Sequence, residues 1–200
     1  MDTNALLQRF VATTADARDF LHTPILRGEL VYATNGYIAV RDPAAPGIEA
    51  SNRERPANIA KLFDNNKRAD YVTMPKLPPA KNCGYCDGSG RAYRRTECDG
   101  EGVFTHHDRE YDCMGCFSTG QVEHGEGATV PCDRCNGSGH AQQPIVIGGR
   151  HYDRRYLAKI ADLPSLQFAP PPQAPNNDLT DPPAYFRFNG GEGLLMSMRV

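Results

Sequence analysis

The chain has 200 residues, a net charge of −2 and a hydrophobic content of 40% with no tryptophan. That length allows one or two domains, and a charge so near zero offers no whole-chain argument for nucleic acid. No apolar run approaches the roughly 20 residues a membrane-spanning helix needs, and no basic stretch followed by a hydrophobic block marks an export signal.

From Asn4 to Leu21 the pattern predicts an amphipathic helix. Leu6, Leu7, Phe10 and Val11 form its apolar stripe, extended by Ala17, Phe20 and Leu21. Thr13-Thr14 is a point where it would break, and Pro24 ends it. Asn35-Gly36 lies between β-rich flanks, a strong hairpin signal that predicts strands over 28–34 and 37–41. A loop follows from Asp42 to Pro56. Asn58 to Phe63 reads as a short helical turn, with Ile59, Leu62 and Phe63 facing inward. Pro75, Pro78 and Pro79 make a stiff connector.

All seven cysteines fall between Cys83 and Cys135, in four copies of one pattern. The copies are Cys83-Gly-Tyr-Cys86, Cys98 alone, Cys113-Met-Gly-Cys116 and Cys132-Asp-Arg-Cys135. Each ends on a glycine four residues after its last cysteine, at Gly90, Gly102, Gly120 and Gly139. Arg95 stands where the second copy lacks its first cysteine. A C-x-x-C turn presents two sulfurs on one side of a tight loop, and two such turns complete the tetrahedron that zinc prefers. Disulfides fit worse, because the count is odd and no secretory signal is visible. A catalytic redox pair fits worse still, with no βαβ pattern around it. Between Lys81 and His140 six basic residues oppose ten acidic ones, 6 − 10 = −4, which leaves +2 for the rest. Such an acidic module is a poor phosphate binder. Thiols at this density point to a reducing compartment and a cytoplasmic protein.

Four tandem C-x-x-C-x-G-x-G copies resemble the cysteine-rich zinc domain of DnaJ-type co-chaperones. In that family the first and fourth copies share one zinc, and the second and third share another. The resemblance implies a complete site of Cys83, Cys86, Cys132 and Cys135. It implies a second site of Cys98, Cys113 and Cys116, with His106 or His107 replacing the missing sulfur; His124 is a further candidate, and loss of the second metal is the alternative. The expected cofactor is therefore one zinc ion or two. Ser118 also departs from the pattern, and the J-domain's own His-Pro-Asp signature is absent.

After His140 the pattern becomes regular again. Pro144 to Ile147 reads as a strand and Gly148-Gly149 as a turn. Asp153 is suited to cap a helix from Arg154 to Leu163 with Tyr156, Leu157 and Ile160 inward. Leu166 to Phe168 starts a strand, and Ala169 to Pro183 is a proline-rich loop. Tyr185–Phe188 and Leu194–Val200 are expected to form a last hairpin across Asn189-Gly190-Gly191.

Two stretches resemble a second family. Tyr32-Ala-Thr-Asn-Gly-Tyr-Ile-Ala-Val40 and Gly193-Leu-Leu-Met-Ser-Met-Arg-Val200 are similar to a strand-turn-strand and to the C-terminal ending of bacterial sliding clamps, the DNA polymerase III beta subunits. This implies an α+β fold: one discontinuous clamp-like helix/antiparallel-sheet domain, residues 1–80 with 141–200, interrupted by an extended zinc-knuckle β-hairpin insert over 81–140. In that likeness Arg9, Arg154, Arg155 and Lys159 would face DNA. Met196, Met198 and Val200 would line a groove for partner peptides. A chain with one such domain would have to form an oligomer to encircle DNA, or else would not encircle it at all.

No glycine-rich phosphate loop, G-x-S-x-G or H-E-x-x-H occurs, and closed thiolate sites are structural. The expectation is a non-enzymatic zinc protein of DNA replication or repair. Its first expected partner is another protein and its second is DNA. The alternative is a chaperone-like or regulatory protein that binds polypeptide through the zinc module.

Overall fold

Asn35-Gly36 folds the chain back on itself in the computed structural model, which describes residues 3–13, 16, 18–44, 47–51, 58–172 and 182–198. The Asn35 side-chain oxygen accepts from the amides of Tyr37 and Ile38, at 3.0 and 3.1 Å, and Gly36 takes a φ of 89°. Strands β1 (Ile25–Arg27), β2 (Leu30–Thr34) and β3 (Ile38–Pro43) form an antiparallel meander around this turn. The expected helix over 4–21 is much shorter. Helix α1 is Thr3–Gln8, after which Arg9 and Phe10 bond back to Leu6 and Leu7 in a tighter turn. The Ala12 amide then pairs with the Leu21 carbonyl, which pulls the chain off the helix axis. Helix α2 is Ile59–Asn65.

Two compact units divide the chain. One is Met1–Pro79 with Gln143–Val200, and the other is Ala80–Gln142. The second unit holds β4 (Arg91–Arg94), β5 (Val103–His106), β6 (Arg109–Asp112), β7 (Gln121–Val122) and β8 (Thr129–Pro131). They pair as a three-stranded sheet in the order β7-β4-β8 and as the β5–β6 hairpin. Its seven cysteines are buried, and Ala92 is the only other apolar side chain there that is fully buried.

The first unit resumes with β9 (Pro144–Ile147) and β10 (Arg150–Asp153), a hairpin whose return strand the sequence pattern does not announce. Asp153 caps helix α3 (Arg154–Ile160) by accepting from the Arg155 amide at 2.9 Å. Then come β11 (Gln167–Ala169), β12 (Ala184–Phe188) and β13 (Gly191–Leu195). Strand β13 pairs with β3, so the sheet runs β1-β2-β3-β13-β12-β11, three strands from each side of the insert. Alternate residues serve two faces. Val31, Ala33, Val40 and Phe186 pack with Leu7, Phe10, Leu157 and Ile160. Tyr32, Ala39, Tyr185 and Leu194 pack with Ile59 and Phe63 of α2. Burial on both faces explains why Leu30–Ala33 reads as an unbroken apolar run.

The expectation of an α+β clamp-like domain is overturned. Among the described residues the three α-helices have only 6, 7 and 7 residues, while strands build several antiparallel sheets, so the protein is mostly β. The last strand ends at Leu195 rather than Val200, and most of the expected 169–183 loop lies outside the described residues.

Gly193 sits opposite Phe186 on one side and Val40 on the other, and an added Cβ would run into the Phe186 ring. Gly193→Ala is expected to lower stability by about 1–3 kcal/mol through overpacking. Urea unfolding followed by tyrosine fluorescence measures it, and metal content should not change.

Candidate metal centre

Each cysteine knuckle is a turn whose amides point back at sulfur. Gly90, Gly120 and Gly139 donate to the Sγ of Cys86, Cys116 and Cys135, each at 3.3 Å. Knuckles then pair through backbone. The Cys83 amide donates to the Gly139 carbonyl at 2.8 Å, and the Cys132 amide donates to Gly90 at 2.9 Å. This brings Cys83, Cys86, Cys132 and Cys135 together with all sulfurs within 4.8 Å. Cys86 and Cys135 lie 3.8 Å apart, which is the edge of a tetrahedron with metal–sulfur bonds of about 2.3 Å. It is far too long for a disulfide, and all seven cysteines are free.

The second lobe repeats this backbone with one ligand fewer. Cys98, Cys113 and Cys116 converge within 4.8 Å, with Cys98 and Cys116 sulfurs 3.8 Å apart. The Arg95 amide donates to the Gly120 carbonyl at 2.9 Å, as Cys83 does to Gly139, and the Cys113 amide donates to Gly102 at 2.8 Å. Arg95 is thus the structural counterpart of Cys83. The pairing needs glycine: a Cβ on Gly102 would strike the Ser118 carbonyl, and one on Gly120 the Gly100 carbonyl. Gln121 ties the lobes together. It donates to the Pro131 carbonyl at 3.0 Å, accepts from the Asp133 amide at 3.1 Å, and its own carbonyl accepts from Tyr85 at 2.9 Å.

Burial pushes the Cys132 thiol up to about 12. Burial acts the same way on Cys86, but the Gly90 amide and the neighbouring thiols outweigh it and bring that thiol to about 7. Soft sulfur donors at tetrahedral spacing fit a metal ion such as zinc. Both clusters are geometrically able to hold one.

His106 and His107 are not brought to the second cluster. Their rings meet edge-to-face at the tip of the β5–β6 hairpin, with centroids 4.2 Å apart. A strand rises about 3.3 Å per residue, so the hairpin carries them away from the cysteines at its base. His124 is also exposed and outside the cluster. Among the described residues no fourth His, Cys, Asp or Glu joins the three cysteines.

The four cations expected to face DNA are engaged within the fold. Arg9 pairs with Asp162 at 2.7 Å. Lys159 Nζ donates to the Arg9 carbonyl at 2.7 Å, and burial lowers its pKa. Arg154 donates to the Pro78 carbonyl at 2.6 Å. Arg155 pairs with Asp153 at 2.5 Å. All four residues are half-buried. The Met196 and Met198 amides bond to Tyr37 and His151 carbonyls, Met196 is exposed, and Val200 lies outside the described residues. Sequence reasoning missed an open cleft of about 470 Å³ in the first unit, lined in part by Arg41, Tyr185 and Glu192. Arg41 is held there by Glu192 at 2.6 Å and Asp64 at 3.1 Å, partners far apart in sequence.

A proton competes with the metal for every sulfur, so loading is expected to weaken as pH falls. Chelation at neutral pH is expected to abolish amide-exchange protection across Ala80–Gln142 while the six-stranded sheet keeps its own, read by hydrogen exchange with mass spectrometry. No family model, curated protein or solved structure matches the chain, so its function is read from its own geometry.

Proposed function

We propose that this protein is a non-enzymatic, zinc-stabilised binding protein whose Ala80–Gln142 unit takes up a segment of a polypeptide partner. The observation that carries this reading is the apolar surface of the second lobe. Met114 is 74% exposed and Phe117 80% exposed, although each is adjacent in the chain to a buried cysteine, Cys113 or Cys116. Phe104 and Tyr111 are exposed on the adjoining β5–β6 hairpin and stack on each other at 5.9 Å. Large side chains held out by rigid backbone suit contact with a partner, and methionine adapts to varied apolar surfaces.

Charge selects the partner's chemistry. With −4 between Lys81 and His140, and thiolates adding more negative charge than a divalent ion removes, the favoured segment carries Lys or Arg beside apolar residues. The DnaJ-type resemblance of the four knuckles supports the same reading, in a reducing compartment such as the cytoplasm. A replication role drew its support from the clamp likeness and from four cations. The mostly β body removes the first support, and the internal pairing of Arg9, Arg154, Arg155 and Lys159 weakens the second.

A fluorescent peptide of alternating Lys and Leu serves as the probe, followed by anisotropy with zinc-loaded protein. Joint replacement Met114→Ser and Phe117→Ser is expected to weaken binding at least tenfold, about 1.4 kcal/mol, with zinc content unchanged. Undiminished peptide binding by that variant, or tight duplex-DNA binding in place of peptide binding, would overturn the proposal.

A further inference from the structure

We infer that the second thiolate cluster takes its fourth metal ligand from outside the chain, and that this ligand is a thiolate. The two lobes share one backbone plan, so the corner that Cys83 supplies in the first lobe can be located in the second. Cys83 and Arg95 hold equivalent positions: each donates its amide to the closing glycine of the opposite knuckle, Gly139 or Gly120. Each also accepts at its carbonyl, Cys83 from Gly88 at 3.2 Å and Arg95 from Gly100 at 2.8 Å. The Cys83 sulfur completes the first tetrahedron. In the second lobe an arginine occupies that place, and no other His, Cys, Asp or Glu donor among the described residues reaches the three sulfurs. Three thiolates leave a four-coordinate ion one position short.

The surroundings of that corner select an anion with a soft donor atom. The Arg95 guanidinium lies over the Cys113–Cys116 turn, where a Cβ on Gly115 would sit 2.7 Å from its Nη2. Its Nη2 pairs with Glu97, but its Nε is buried with no hydrogen-bond partner. A cation with an unused buried donor favours a charged ligand over neutral imidazole. Three sulfur donors favour a fourth sulfur over a carboxylate. Met114 and Phe117, exposed on the same turn, offer apolar surface beside it. Both a cysteine of a bound polypeptide and a small free thiol supply this chemistry.

Cobalt(II) replaces zinc in such sites, and its sulfur-to-metal charge-transfer absorption counts the thiolates bound. The fully loaded protein is titrated with four probes: 2-mercaptoethanol, a Lys/Leu peptide containing one cysteine, its serine twin, and imidazole. Both thiols should add the absorption of one further thiolate, while the serine peptide and imidazole should not. A peptide that saturates far below 2-mercaptoethanol identifies polypeptide as the source; equal saturation identifies small thiols. Arg95→Cys should show the eighth thiolate without any addition and no response to thiol. Arg95→Gln should keep the response but raise the half-saturating concentration by up to about fivefold, the worth of one partly exposed ion pair.

The inference rests on the reading of this unit as metal-held. Failure of the first lobe to bind cobalt would sink that reading itself. An unresponsive second cobalt, or a second lobe that stays metal-free until Arg95→Cys is introduced, would overturn the external ligand alone.

Discussion

The convergence of sulfurs from distant knuckles is the constraint on which the Ala80–Gln142 unit depends. That unit buries its seven cysteines and, fully, one further apolar side chain, Ala92. Hydrophobic burial therefore cannot offset the entropy of ordering so long a segment. A structural zinc ion held by these sulfurs would contribute on the order of 10 kcal/mol, a magnitude that nothing else in this unit approaches. The glycines serve the same end. They let paired knuckles approach backbone to backbone, so that an amide reaches each neighbouring carbonyl and turns another amide toward sulfur.

What is legible in the sequence is local. Metal ligation is encoded by spacing, so the intervals between the seven cysteines are enough to place each of them in a turn. Asn35-Gly36 and Asp153 each act through their own side chain within three residues, and their turn and cap form where expected. The pairing of β3 with β13 joins residues about 150 positions apart, and no local pattern reports it. The return strand Arg150–Asp153 escapes a pattern reading because its polar residues, Arg150 and Asp153, are buried by specific partners rather than by apolar periodicity.

The clamp likeness shows how a short stretch can mislead. Tyr32–Val40 and Gly193–Leu195 do belong to one sheet, and they lie in it as neighbours. A tight turn between apolar strands, however, is the general chemistry of antiparallel pairing and fits many β architectures. Helix length is the discriminating property. The stripe from Leu6 to Leu21 suggests one long helix, but among the described residues the α-helix covers Thr3–Gln8 alone, with a separate 3-10 turn at Asp19–Leu21. Beyond Gln8 the Ala12–Leu21 backbone bond competes successfully with helical continuation. The histidines mislead for a similar reason. Proximity in sequence places His106 and His107 near Cys113, whereas a regular hairpin carries them outward.

The replacement at Arg95 also changes the electrostatics of the pair of lobes. Four thiolates around one divalent ion would leave −4 + 2 = −2 at the first cluster, and three would leave −3 + 2 = −1 at the second. Desolvating a loaded second cluster would therefore cost less, and the Arg95–Glu97 pair beside it adds no net charge. The large exposed apolar residues follow that difference. Met114 and Phe117 flank the cysteines of the less charged lobe, whereas the Cys132–Cys135 knuckle carries Asp133 and Arg134 in its turn. One backbone plan thus yields a four-sulfur lobe with charged residues in its Cys132–Cys135 turn and a three-sulfur lobe with large exposed apolar ones.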